Sequence, residues 1–191
     1  MRSERCPRCA LTPVLCVCAA LVPVAVPLRI VVVMHAKEAA RPSNTGRLLP
    51  ALLSDAWVVV RRGTEAAPEP FPECPGPVAV LFPDADARPL DTIGPLDPPP
   101  RTLLVPDGNW RQARRITRRE PALAATPRVC LPTGGPPLAR LRDHPDADRL
   151  ATVEAVARAL GALGHADAQA HLEAGWRLFA AAFERMRYGG A

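Results

Sequence analysis

The sequence predicts an α/β domain built on a parallel sheet with helices on both faces. Short, continuously apolar runs rich in Val, Ile and Leu alternate with segments of helical spacing, which is the pattern of strands buried on both sides. Most of these runs lead into a polar or Gly- and Pro-rich stretch that reads as a connection. Aromatic residues make up only 4% of the chain, so Ala, Val and Leu must supply most of the core.

The elements follow in order. Leu28–Met34 is a β-branched run of strand length. Residues 44–55 have helical spacing, with Leu48, Leu49, Leu52 and Leu53 on one side and Ser43 or Asn44 as the cap. Trp57–Arg61 is a second strand, 63–76 a Pro- and Gly-rich loop, Val78–Phe82 a third strand and Thr102–Val105 a fourth. Gly108–Arg119 reads as a basic helix and Arg128–Leu131 as a fifth strand. The chain ends helically: Leu150, Val153, Val156, Leu160 and Leu163 form one apolar face, and Leu172, Trp176, Phe179, Phe183 and Met186 another. That second stripe reads as core packing rather than a base-stacking surface.

Composition narrows the class further. At 191 residues and 48% hydrophobic the chain can bury a core, so disorder is not the default. The 24 prolines argue against long uninterrupted helices and an all-helical bundle. The formal charge is +5, and apart from Lys37 every basic residue is an arginine. Arginine presents a planar fork suited to phosphate and stacks on bases, so the charge points to a nucleic acid; genomic base composition is the competing explanation.

Residues 1–26 form a Cys-rich segment ahead of a main domain over 27–191. Cys6, Cys9, Cys16 and Cys18 follow the pattern C-x2-C-x6-C-x-C. Four such thiolates can converge on one structural zinc ion; disulfides and free thiols are the alternatives. The apolar stretch from Ala10 to Met34 resembles a signal peptide or membrane span, but Pro13, Pro23 and Pro27 break it and Arg29 lies within it. The expected compartment is therefore the cytoplasm, with no membrane partner.

In open parallel sheets, ligands bind beyond the carboxyl ends of the strands. There the sequence places His35 and Glu38, then Pro83, Asp84 and Asp86, then Asp107 and Trp110, then Pro132 to Gly135. Asp107 reads either as a base or as a helix cap. Trp110 packs against a ligand base or in the core. Arg111, Arg114, Arg115, Arg118 and Arg119 on the following helix form either a polyanion-binding surface or a solvated face.

These residues carry a resemblance. Asp107, Asn109, Trp110, Gln112, Ala113 and Arg114 resemble the Asp-x-Thr-Trp and Gln-Ala-Arg motif of the DTW-domain family, with Asn109 in place of Thr. The four cysteines, His35-x-x-Glu38 with Arg41 and Asn44-Thr45-Gly46, Leu81 to Ala87, and Thr152 to Ala155 are similar to family blocks in the same order. The resemblance implies a SPOUT-like parallel sheet with a knotted C-terminal half. It also implies a tRNA-uridine aminocarboxypropyltransferase that uses S-adenosyl-L-methionine. On that reading Asp107 and Trp110 are catalytic. Leu81, Pro83, Asp84, Asp86, Asp107, Leu131, Thr152 and Glu154 hold the cofactor. Arg41, Asn44, Thr45, Arg47, Arg111, Arg114 and Arg115 contact tRNA, and Cys6, Cys9, Cys16 and Cys18 bind zinc. A related RNA methyltransferase and a zinc-dependent RNA-binding module without catalysis are the alternatives; the oligomeric state is left open.

Overall fold

A computed structural model of the chain describes residues 4–61, 70–93, 98–132, 135–141 and 150–189. Six strands form one sheet: β1 (Arg29–His35), β2 (Ala56–Arg61), β3 (Val78–Leu81), β4 (Arg88–Pro89), β5 (Thr102–Asp107) and β6 (Arg128–Cys130). Their order is β2-β1-β5-β3-β6-β4, and every pairing is parallel. The sheet therefore has a single carboxyl edge, along which His35, Leu81, Asp107 and Cys130 end their strands. The register pairs Met34 with Asp107 and so sets the end of β1 beside the end of β5.

Alternation along the strands assigns the two faces. Ile30, Val32, Met34, Leu103 and Val105 join one buried cluster, while Val31, Val33, Leu104 and Val80 join the other. This is the period-two geometry of a strand. The first face is covered by α5 (Thr152–Ala162) and α6 (Ala166–Tyr188); the second by α3 (Trp110–Arg119) and α4 (Pro121–Ala124). Leu11, Val17 and Leu21 of the Cys-rich segment belong to the same cluster as Trp176 and Phe179. The stripe on α6 is core: Leu172, Trp176 and Phe179 are fully buried.

Three expectations are corrected. The helix expected over 44–55 is a 3₁₀ turn, Gly46–Leu48, followed by the one-turn α2 (Leu49–Leu52). Pro50 stands in the first turn of α2 and Leu53 is already extended, because proline has no N–H to continue an upstream helix. A sixth strand, β4, lies in the Pro- and Asp-rich connection, where its two residues pair with β6. Finally, α6 runs for 23 residues; the prolines all precede residue 146, so the average composition misdescribes the C-terminal quarter. Of the loop expected over 63–76, residues 63–69 lie outside the described residues and 70–76 are irregular, as expected. No described helix is long and apolar enough to cross a membrane.

Trp176 supplies the stability test. Replacing it with Ala is expected to cost about 3–5 kcal/mol, read as a lowered urea midpoint. Its Nε1 is buried without a hydrogen-bond partner among the described residues. Trp176→Phe removes that unsatisfied donor and keeps a ring, so it should cost less than half as much. Equal losses would contradict this account of the core.

Candidate active site and metal centre

The functional geometry begins at the end of β5. Asp107 has 6% of its surface exposed although it is a carboxylate. Asn44 Nδ2 donates to Asp107 Oδ2 at 2.5 Å, and Thr152 Oγ1 donates to Asp107 Oδ1 at 2.8 Å. One donor comes from the connection after β1 and the other from the first turn of α5. Buried carboxylates are tolerated only with such partners. The fit is tight: a Cβ added to Gly46 would stand 2.6 Å from Asp107 Oδ2 and 3.1 Å from Val32 Cγ1. A glycine at 46 therefore gives the carboxylate its space.

Asp107 is not the cap of α3. Asn109 takes that role: its side chain accepts from Gln112 N at 2.9 Å, and Gln112 Oε1 accepts from Asn109 N at 2.8 Å. This is a reciprocal capping box. Asn109 therefore fills a structural position that Thr also fills well, and Asp107 is left to face the cavity. Trp110, 44% exposed, stacks on Phe82 with ring centroids 4.9 Å apart.

A cavity of about 530 Å³ opens at this edge, between the amino ends of α3 and α5. That lies within the usual size of a small-ligand pocket. Leu81, Pro83, Asp107, Leu131, Thr152 and Trp110, all singled out from the sequence, line it. Asp84, Asp86 and Glu154 are not among its lining residues. Asp84 Oδ1 accepts from Ala85 N, and Oδ2 lies 3.6 Å from Arg128 Nε. Asp86 is exposed. Glu154 is fully buried and paired with Arg158.

The expected RNA contacts divide. Arg111, Arg114 and Arg115 are exposed on α3, as are Arg118 and Arg119. Arg41 is half exposed and pairs with buried Glu38 at 3.1 Å. Asn44 and Thr45 are instead buried: Asn44 serves Asp107, and Thr45 Oγ1 accepts from Val153 N at 3.4 Å. Arg47 turns its Nη2 onto the carbonyls of Ala39 and Arg41. Burial lowers its pKa, and the charge of Asp107 partly offsets this. Four residues at the site carry no individual role in the sequence analysis: Gly46, Phe82, Cys130 and Arg158. An Asn-Thr-Gly run signals a tight turn, but nothing local reveals a long-range contact with Asp107.

The four cysteines converge at the other end of the molecule's first segment. Their Sγ atoms all lie within 4.8 Å of one another, with Cys6–Cys18 and Cys9–Cys16 at 3.7 Å. A tetrahedral zinc with Zn–S of about 2.3 Å demands an S···S edge of about 3.8 Å, whereas a disulfide needs about 2.05 Å. None of the six cysteines is in a disulfide. The N–H of Cys9 lowers the Cys6 thiol to about 6, while burial pushes the Cys9 and Cys18 thiols up. Thiolates in such a cluster need a cation, and the donor set fits zinc.

The arrangement is that of a parallel α/β protein with a cavity at the carboxyl edge of its sheet and, beside its core, a four-cysteine cluster whose donor set fits a metal ion. The DTW domain model matches residues 3–184, and the chain belongs to that family. It is similar to tRNA-uridine aminocarboxypropyltransferase 2 of Drosophila melanogaster, at 30% identity over 171 residues, covering 85% of this chain and 67% of the relative. It is also similar to tRNA-uridine aminocarboxypropyltransferase A of Arabidopsis thaliana, at 29% over 199 residues, covering 85% and 73%. A Macaca fascicularis relative, tRNA-uridine aminocarboxypropyltransferase 2, is 28% identical over 171 residues, covering 85% and 57%. No solved structure matches the chain.

The metal centre yields a direct expectation. Purified protein should carry about one zinc per chain by plasma mass spectrometry, and Cys9→Ser should lower both the zinc content and the thermal midpoint. Less than about half a zinc in the unaltered protein would contradict the assignment.

Proposed function

We propose that this chain transfers the 3-amino-3-carboxypropyl group of S-adenosyl-L-methionine to N3 of a uridine in tRNA, releasing 5′-methylthioadenosine. The observation that carries the reading is the buried Asp107 carboxylate, which borders a cavity at the strand ends in a chain of the DTW domain family. The names of the similar proteins support the substrate and the reaction class. The cytoplasm is the compartment that this substrate suggests. Residues 1–26 act as a zinc-bound brace, held by Cys6, Cys9, Cys16 and Cys18, on a catalytic unit over 27–191.

S-adenosyl-L-methionine supplies a sulfonium, whose attached γ-carbon is electrophilic. In the balanced reaction the N3–C bond forms as the C–S bond breaks, sulfur leaves as a neutral thioether, and the N3 proton must depart. Asp107 is placed to accept that proton and pass it to solvent. The bonds from Asn44 and Thr152 hold the carboxylate in one orientation, so it needs no reorganisation as the reaction proceeds. Choosing the γ-carbon over the methyl is a matter of positioning. Leu81, Pro83, Leu131 and Thr152 shape the cofactor pocket, with Asp84 and Asp86 on the adjoining loop and Glu154 acting through its neighbours. Trp110, backed by Phe82, offers a rigid face on which a base can stack. Arg111, Arg114, Arg115 and Arg41 receive the tRNA backbone, while Asn44, Thr45 and Arg47 build the turn beneath Asp107. We further assign a SPOUT-like knotted form to the carboxyl half. In its support, β5 follows β3 in sequence yet lies between β1 and β3, and α5 returns to Asp107.

Nucleoside mass spectrometry of tRNA from cells with and without the gene tests the reading: an aminocarboxypropyl-uridine should disappear, and an unchanged profile would overturn it. Asp107→Ala should still bind the donor but lose turnover by roughly a hundredfold or more; retained turnover would remove the proposed role. Gly46→Ala should reduce turnover at least tenfold, because its Cβ displaces the carboxylate, and should also lower the thermal midpoint as the bonds from Asn44 and Thr152 are strained. Full activity in that variant would contradict the tight fit.

A further inference from the structure

Arg158 is the one cationic side chain among the described residues that line the cavity. It projects from α5, and its guanidinium is held on several sides. Nη1 donates to Gly135 O at 2.7 Å; Nη2 donates to Pro136 O at 2.7 Å and to Glu154 Oε1 at 2.8 Å. Glu154 has no exposed surface, and its Oε1 also accepts from Leu138 N at 2.9 Å. The pair thus pins a Gly- and Pro-rich wall segment to the helix. Side chains on a helix lean toward its amino end, and the bond one turn back to Glu154 fixes that lean here. The guanidinium therefore lies near the first turn of α5, where Thr152 and Ala155 also line the cavity.

A guanidinium carries five N–H donors, and the three bonds to Gly135, Pro136 and Glu154 leave two without a partner among the described residues. A planar fork held in place by other bonds is suited to a carboxylate. We propose that Arg158 receives the α-carboxylate at the amino-acid end of the donor, with Glu154 fixing the fork. This rests on S-adenosyl-L-methionine being the donor, and it adds a reason for the choice of carbon. In aminocarboxypropyl transfer the carboxylate travels with the transferred group, so anchoring it positions the chain that ends in the γ-carbon. In methyl transfer it would leave with the by-product.

Calorimetry on the full-length, zinc-loaded protein with three ligands tests this. S-adenosylmethionine and S-adenosylhomocysteine carry the carboxylate; 5′-methylthioadenosine does not. Arg158→Gln should weaken the first two by roughly tenfold or more and leave the third within about twofold. Equal loss for all three would mean that Arg158 only braces the wall, and no loss for any would mean that it does not touch the ligand; either result overturns the proposal. If Arg158→Gln does not fold, Arg158→Lys, which keeps the charge but not the fork, carries the same comparison. If the unaltered protein binds none of the three, the donor itself is wrong. That outcome is distinct from binding that Arg158→Gln leaves unchanged.

Discussion

The structure turns on the burial of one carboxylate. Asp107 ends β5, and its carboxylate accepts from Asn44 and Thr152, far away in the sequence on either side. Leaving such a group buried without partners would cost several kcal/mol. The turn at 44–46 and the start of α5 must therefore both close on the same strand end. Gly46 follows from this, since a side chain there would occupy the space of Asp107 Oδ2. The burial of Thr45 follows as well, because its hydroxyl accepts from the first turn of the same helix.

The parallel sheet makes this convergence possible. Every strand delivers its carboxyl end to the same edge, and β5 lies between β1 and β3, so Asp107 is flanked by the connections that follow both. Helices then approach that edge with their amino ends. α3 begins directly after Asp107, and its own cap, Asn109, relieves Asp107 of capping. α5 brings Thr152 to the carboxylate and Arg158 to the cavity. The result is a small pocket with largely apolar walls that, among the described residues, carries one carboxylate and one guanidinium, next to a helix whose exposed surface is rich in arginine.

Much of this was legible in the sequence. The apolar runs gave five of the strands to within a residue or two, because strands buried on both faces announce themselves by continuous hydrophobicity. The cysteine spacing led to a cluster in which two of the S···S distances match a tetrahedral edge. The rule that ligands gather at strand ends led to Asp107, Trp110, Pro83 and Leu131. Other features depend on distant parts of the chain and left no local mark. Asn44 and Thr45 look like surface donors in a turn-forming run, and only the fold shows them serving Asp107 and α5. Arg158 looks like one more arginine in an arginine-rich chain. The helix expected over 44–55 failed because leucine spacing was weighed above Pro50, and β4 is two residues long, too short to carry a pattern.

The central claim is that this cavity offers the γ-carbon of S-adenosyl-L-methionine, rather than its methyl, to a uridine beside Asp107. The most direct measurement is the by-product formed when purified protein, unmodified tRNA and the donor are combined. The account predicts 5′-methylthioadenosine in equal amount to modified uridine, and neither from Asp107→Ala. S-adenosylhomocysteine in its place would contradict it.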